Sequence, residues 1–235
     1  MKKLTIAAFA AAVLNATLAS ASPFTITANL TGDPRADNPD NLVAKVTVTG
    51  DTTSGVTNWL LDLNSLLHPN VKLDEFGFNV LLGLGTTATF SDFSPVAWAV
   101  EQDNVLQGSG NMSFLFMALD PPGPPNAADV TNTVDLSFKM TLSGSATFLP
   151  AMFLLAPDAE SNDDDLPDSQ LGVHLQSLTA LPGQSDSGVA LGNWIAPPSS
   201  DDDDDDDPPP SVPEPASMAL LGLGLLGAGL ARRRK

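Results

Sequence analysis

The sequence predicts an all-β protein: a single antiparallel β-sandwich, jelly-roll-like or immunoglobulin-like, flanked by a signal peptide and a C-terminal transmembrane sorting helix. Three observations lead to this reading. Runs of four to nine residues rich in Thr, Val and Phe recur along the chain, separated by Gly, Pro, Asn or Asp. Only the two termini carry long apolar stretches, and no sustained helical period interrupts the region between them. There is no cysteine in 235 residues, so stability rests on packing or bound ions rather than on disulfides.

The elements follow in order. Residues 1–21 form a signal peptide: Lys2 and Lys3 give a basic start, 4–18 an alanine-rich apolar stretch, and Ala19-Ser20-Ala21 a small-x-small cleavage site. The exported domain, 22–195, is long enough for one hydrophobic core. Its expected strands are 24–30, 42–48, 56–63, 75–82, 86–90, 112–119, 134–142, 146–155 and 173–178. A helix over 58–67 is the main local rival. Residues 196–211 form a stalk in which seven consecutive aspartates, 201–207, repel one another and three prolines, 208–210, stiffen the chain.

The last segment, 212–235, opens on Val212-Pro213-Glu214-Pro215, continues as the apolar run 216–231, and is followed by Arg232, Arg233, Arg234 and Lys235. At about 1.5 Å per residue that run spans roughly 24 Å, slightly short of a hydrocarbon core of about 30 Å. Ser217 is its one polar side chain, so it has no polar face to turn toward water. The four cations belong on the cytoplasmic side, which leaves the preceding chain outside.

This arrangement resembles the PEP-CTERM sorting domain of exopolysaccharide-producing Gram-negative bacteria. The resemblance covers 212–235. It implies that Pro213, Glu214 and Pro215 are recognised by an exosortase-like membrane protease, that Arg232, Arg233, Arg234 and Lys235 act as retention charges, and that the helix is removed. Signal peptidase is the second implied partner. The final site is the cell surface or extracellular matrix, after a transient inner-membrane stage. The body also resembles those of some proteins carrying this tail, through 71–79, 172–178 and a closing strand over 187–195. That class has no settled activity. Residues 120–125 and 160–165 depart from its pattern as loop expansions.

Charge narrows the function. The chain carries a formal −18, yet its cations crowd the ends. Residues 22–212 hold Arg35, Lys45, Lys72 and Lys139 against 27 acidic residues, a net of −23. Such a field repels nucleic acid, which is excluded as a partner, and favours solubility and cations.

The catalytic inventory is thin. His68 and His174 are the two groups able to act as a base at neutral pH. His68 precedes Pro69 in an expected turn. His174 shares a strand face with Gln176, which suits solvent exposure or a hydrogen-bonded structural role. Gly108-Ser109-Gly110 lacks the nucleophile-elbow spacing and reads as a turn before a strand. The acid pairs Asp74/Glu75 and Glu101/Asp103, with Trp59, Trp98 and Trp194, are the raw material for a glycan site, which needs paired carboxylates in a cleft lined for sugar. Asp163, Asp164, Asp165 and Asp168 are a weak Ca²⁺ candidate whose spacing does not fit a calcium-binding loop. No other metal site, no catalytic residue and no cofactor is expected. The expected role is therefore non-enzymatic and structural or adhesive, in the envelope or exopolysaccharide matrix. The alternative is a carbohydrate-binding or glycan-degrading matrix protein. Surface tryptophans beside paired acids would favour that alternative, and buried tryptophans would oppose it.

Overall fold

A computed structural model describes residues 20–32, 44–122, 128–180, 182–183 and 185–196. All belong to the compact unit Met1–Pro197, whereas the second unit, Pro198–Lys235, lies outside the described residues.

The body is all-β. Its strands are β1 (Pro23–Gly32), β2 (Ala44–Asp51), β3 (Val56–Leu63), β4 (Lys72–Phe78), β5 (Ala88–Ser94), β6 (Ala99–Val105), β7 (Ser113–Leu119), β8 (Val130–Thr131), β9 (Leu136–Leu142), β10 (Leu171–Gln176), β11 (Gly188–Gly192) and β12 (Trp194–Ile195). They join in one antiparallel sheet, ordered β5-β9-β3-β2-β1-β11-β10-β4-β7-β6, with β12 on β1 and β8 on β4. Strand β1 pairs with β2 along most of its length, then with β11 through Thr31 and Gly32. It thereby carries the ladder from one half of the sheet into the other.

The two halves share one core. Trp59 on β3 lies 4.5 Å from the Phe78 ring on β4 and 5.4 Å from Phe138 on β9. Phe90 on β5 meets Phe116 on β7 at 5.1 Å. The Trp59–Phe78 and Phe90–Phe116 contacts cross between the halves, so the sheet bends round until the terminal strands β5 and β6 come close and bound a cleft of about 460 Å³. Strands β2, β3 and β9 alternate buried and exposed positions, as expected where one face meets the core and the other meets water.

Strands β10 and β11 are buried on both faces. A second cluster, Leu106, Met112, Phe114, Met117, Ala159, Leu166, Val189 and Leu191, covers their outer side. Gly77 and Gly172 face each other across the β4–β10 pair; a Cβ on Gly77 would collide with the Phe114 ring, and one on Gly172 with Leu106 while pressing on the same ring. The paired glycines form the seat for that ring.

The expected strand over 56–63 forms, and not the rival helix over 58–67, because its odd and even positions alternate between solvent and core. Other expectations are corrected. The expected strand 75–82 begins at Lys72 and stops at Phe78. Beyond it, Asn79 leaves the ladder: its side chain accepts the Leu115 N–H and donates to the Pro157 carbonyl. The segment 146–155 is not a strand but carries the short helix α1 (Ala151–Leu154). Pro150, at φ −51°, starts its first turn without needing an N–H donor. Strand β6 was not expected. Its sequence, AVEQDNV, has little apolar content because both of its faces are largely exposed.

Edge strands β5 and β6 are interrupted by positive-φ residues, Asp92 at 55° and Asp103 at 51°, and the β5–β9 register shifts between Ser91 and Ser94. Such irregularities, with exposed acids, deter pairing with a foreign strand.

Candidate functional site

The strongest polar constellation lies where β4, β7, β8 and β10 converge. In the β4–β10 ladder Glu75 opposes His174 and Leu73 opposes Leu175, so Asp74 is the extra residue of a bulge. Its carboxylate meets His174 Nδ1 at 2.9 Å, and His174 is 4 % exposed. This hydrogen bond holds the Asp74 carboxyl below its ordinary range, against the opposing effect of burial.

Around this pair, Lys72 Nζ binds Asp129 at 2.6 Å and the Asp120 N–H donates to the Asp74 carbonyl at 3.0 Å. One Asp120 carboxylate oxygen is buried without a hydrogen-bond partner. Burial, reinforced by Asp129 and Asp74, pushes the Asp120 carboxyl up to about 6, with Lys72 opposing. Glu75 points elsewhere and accepts the Gln107 N–H at 2.8 Å, tying the 106–112 turn to β4.

Two carboxyls shifted in opposite directions form the pattern from which acid–base pairs are made. Among the described residues no serine or threonine hydroxyl is hydrogen-bonded to His174. The arrangement pins β10 to β4 and stores a carboxyl that resists ionisation. Folding favours protonated Asp120, so its cost is absent below about pH 4, grows as pH rises toward 6, and is complete above that. Asp120→Asn is therefore expected to raise stability by about 1 kcal/mol at pH 7.5, a value discounted for residual solvent access, and to leave it unchanged near pH 4. Urea titrations at the two pH values measure this. Asp74 has the opposite sign: its contribution is present at neutral pH and is lost as acid protonates the carboxylate. Asp74→Ala is expected to cost about 1–3 kcal/mol at pH 7 by stranding the buried His174, read from the same titrations.

The other candidates are dispersed. His68 is 3 % exposed and accepts the Thr179 N–H on Nδ1 at 3.0 Å, which leaves a proton on Nε2, where it has no partner. Burial lowers its pKa, so it is neutral at pH 7. His174 takes the hydrogen-bonded structural role rather than the exposed one. Ser109 sits in the expected turn, donating to the Leu106 carbonyl and accepting the Met112 N–H. Glu101 accepts from Asn104 on exposed β6.

Asp163 accepts the Asp165 N–H, Asp168 accepts the Ser161 N–H, and Asp164 is exposed. Among the described residues no three His, Asp or Glu side chains are grouped to hold a metal ion. The three tryptophans are buried: Trp59 is 2 % exposed, Trp98 3 % and Trp194 7 %. Trp59 donates to Thr57 Oγ1 and Trp98 to the Ala128 carbonyl.

The Asp74–His174 contact spans one hundred residues of sequence, and nothing in the chain announces it.

Pro213, Glu214, Pro215, Arg232, Arg233, Arg234, Lys235, the apolar run 216–231 and the stalk 197–211 lie outside the described residues, as do residues 1–19 of the signal peptide. Among the described residues no helix is long and apolar enough to cross a membrane. No curated protein and no solved structure matches the chain. A family model does match residues 211–235, the PEP-CTERM protein-sorting motif. The chain thus carries a PEP-CTERM sorting signal, which marks it as an exported protein, anchored in the membrane before sorting and addressed to an exosortase.

Proposed function

We propose that the exported body is a β-sandwich serving as a non-enzymatic structural or adhesive component of the cell envelope or exopolysaccharide matrix, released there once its C-terminal helix is removed. The sorting signal supports the route. The burial of all three tryptophans is the observation that carries the role. A glycan site needs flat aromatic faces beside paired carboxylates, and here the indoles are spent on the core while Asp74 is committed to His174.

Two measurements test the reading. Fractionation of cells expressing the chain is expected to place the processed form in the matrix or surface fraction. Calorimetric titration of the processed protein with soluble exopolysaccharide from the same cells is expected to give no saturable heat, with or without Ca²⁺. Saturable binding would replace the structural role with the carbohydrate-binding one.

A further inference from the structure

One end of the body carries an extended uncharged surface on this anionic protein. The segments 76–91 and 140–157 contain no charged residue, and they meet: the Leu81 N–H donates to the Met152 carbonyl at 2.8 Å, and the Thr87 N–H to Ser143 Oγ at 2.9 Å. Between them opens a pocket of about 520 Å³ lined by Leu81, Leu82, Leu142, Ala146 and Met152, with Thr86 and Thr147 as its hydroxyl groups. Leu84, Leu149 and Leu155, each within three residues of a lining position, are exposed, as is Leu81. Leu84 is fully exposed on a tight turn closed by Thr86 N–H to Gly83 C=O at 3.0 Å, with Gly85 at φ 74°. That turn holds a leucine in water where a polar residue would serve solubility better.

We propose that this leucine cap is a bilayer-contact surface. It dips its leucines among lipid tails and takes one aliphatic chain into the pocket while the protein is membrane-anchored. The chemistry of the lining selects the occupant. No cation is present for an anionic group, no aromatic face for a sugar and no charge for a polar peptide, whereas leucine, alanine and an adaptable methionine match an acyl chain.

Charge adds a second reason. A body with four cations against 20 acids in 22–195 is repelled by anionic headgroups, so a charge-free end is the surface that can approach them. Tethering raises the local lipid concentration, so four exposed leucines suffice for a contact that ends when the helix is removed. The inference rests on the reading of the chain as membrane-anchored before sorting.

The absence of native cysteine makes the test clean. Full-length chain bearing Leu84→Cys or, in a second preparation, Leu155→Cys is labelled with an environment-sensitive fluorophore and reconstituted into phosphatidylcholine vesicles. Thr133→Cys is the reference, since it is exposed beside the β8 strand that pairs the opposite end of β4. Lipids spin-labelled on their acyl chains are expected to quench the probes at 84 and 155 several-fold more than the probe at 133. Equal quenching in vesicle-bound protein would overturn the cap and leave the anchoring intact. Failure of the chain to float with vesicles would overturn both. A blue shift at 84 that grows with protein concentration but ignores the quencher would identify a second copy as the occupant, and would also overturn the proposal.

Discussion

Replacing Pro213, Glu214 and Pro215 together by alanine is expected to leave nearly all of the exported chain in the membrane fraction at its unprocessed size. The physical reason lies in what a membrane protease can reach. A helix in lipid satisfies its own backbone hydrogen bonds and offers no extended peptide to an active site. Proline cannot continue a helix inward and biases the residue before it toward extended geometry, so the sequence Pro213-Glu214-Pro215 disfavours helix at the motif that precedes the apolar run 216–231. Three alanines would let the helix grow through that site. Immunoblotting of membrane and extracellular fractions measures the outcome. As a control, serine at the seven positions 201–207 removes the charge of the stalk without touching the motif, and processing is expected to persist. If the triple alanine variant is processed as efficiently as the parent, recognition by this motif is wrong.

Trp59→Ala is expected to cost about 3–5 kcal/mol, against a total stability of about 5–15 kcal/mol for a domain of this kind. The indole is the hub of the core, stacked on Phe138 and in ring contact with Phe76, Phe78, Phe153 and Trp194. Phe76 and Phe78 lie on one half of the sheet and Phe138 on the other, so its removal opens the joint between the halves rather than one strand pair. Thermal unfolding of the variant is expected to begin roughly 10 °C below the parent or lower. A change under 1 kcal/mol would mean that the core does not depend on this junction. Leu60→Ser, on the exposed face of the same strand, is the matched reference and is expected to change stability by less than about 0.5 kcal/mol.

Periodicity made most of the central strands readable. β2, β3 and β9 put one face on the core, so their sequences alternate and declare themselves. β10 read as a strand although buried on both sides, because aliphatic residues dominate it, whereas β11 was supplied by the resemblance over 187–195 and not by its pattern. β6 was invisible, since an edge strand with both faces wet keeps no apolar pattern. The segment 146–155 misled for the opposite reason: Phe148 and Phe153 are both fully buried, and a short apolar run does not say whether its period is that of a strand or of a helix turn begun by a proline.

The site divides in the same way. The sorting signal is legible because its recognition elements are contiguous, and a membrane address works through local hydropathy and flanking charge. The Asp74–His174 pair, the raised Asp120 carboxyl and the leucine cap were not legible, because each joins residues far apart in the chain. The sequence by itself determined the β class, the anionic body and the export route, all properties of short stretches and of composition. Only the tertiary structure decided that the tryptophans fill the core, that a bulge turns Asp74 onto His174, and that two uncharged segments meet at one end. Burial and pairing depend on which strands the bent sheet brings face to face, and that information is distributed over the whole chain.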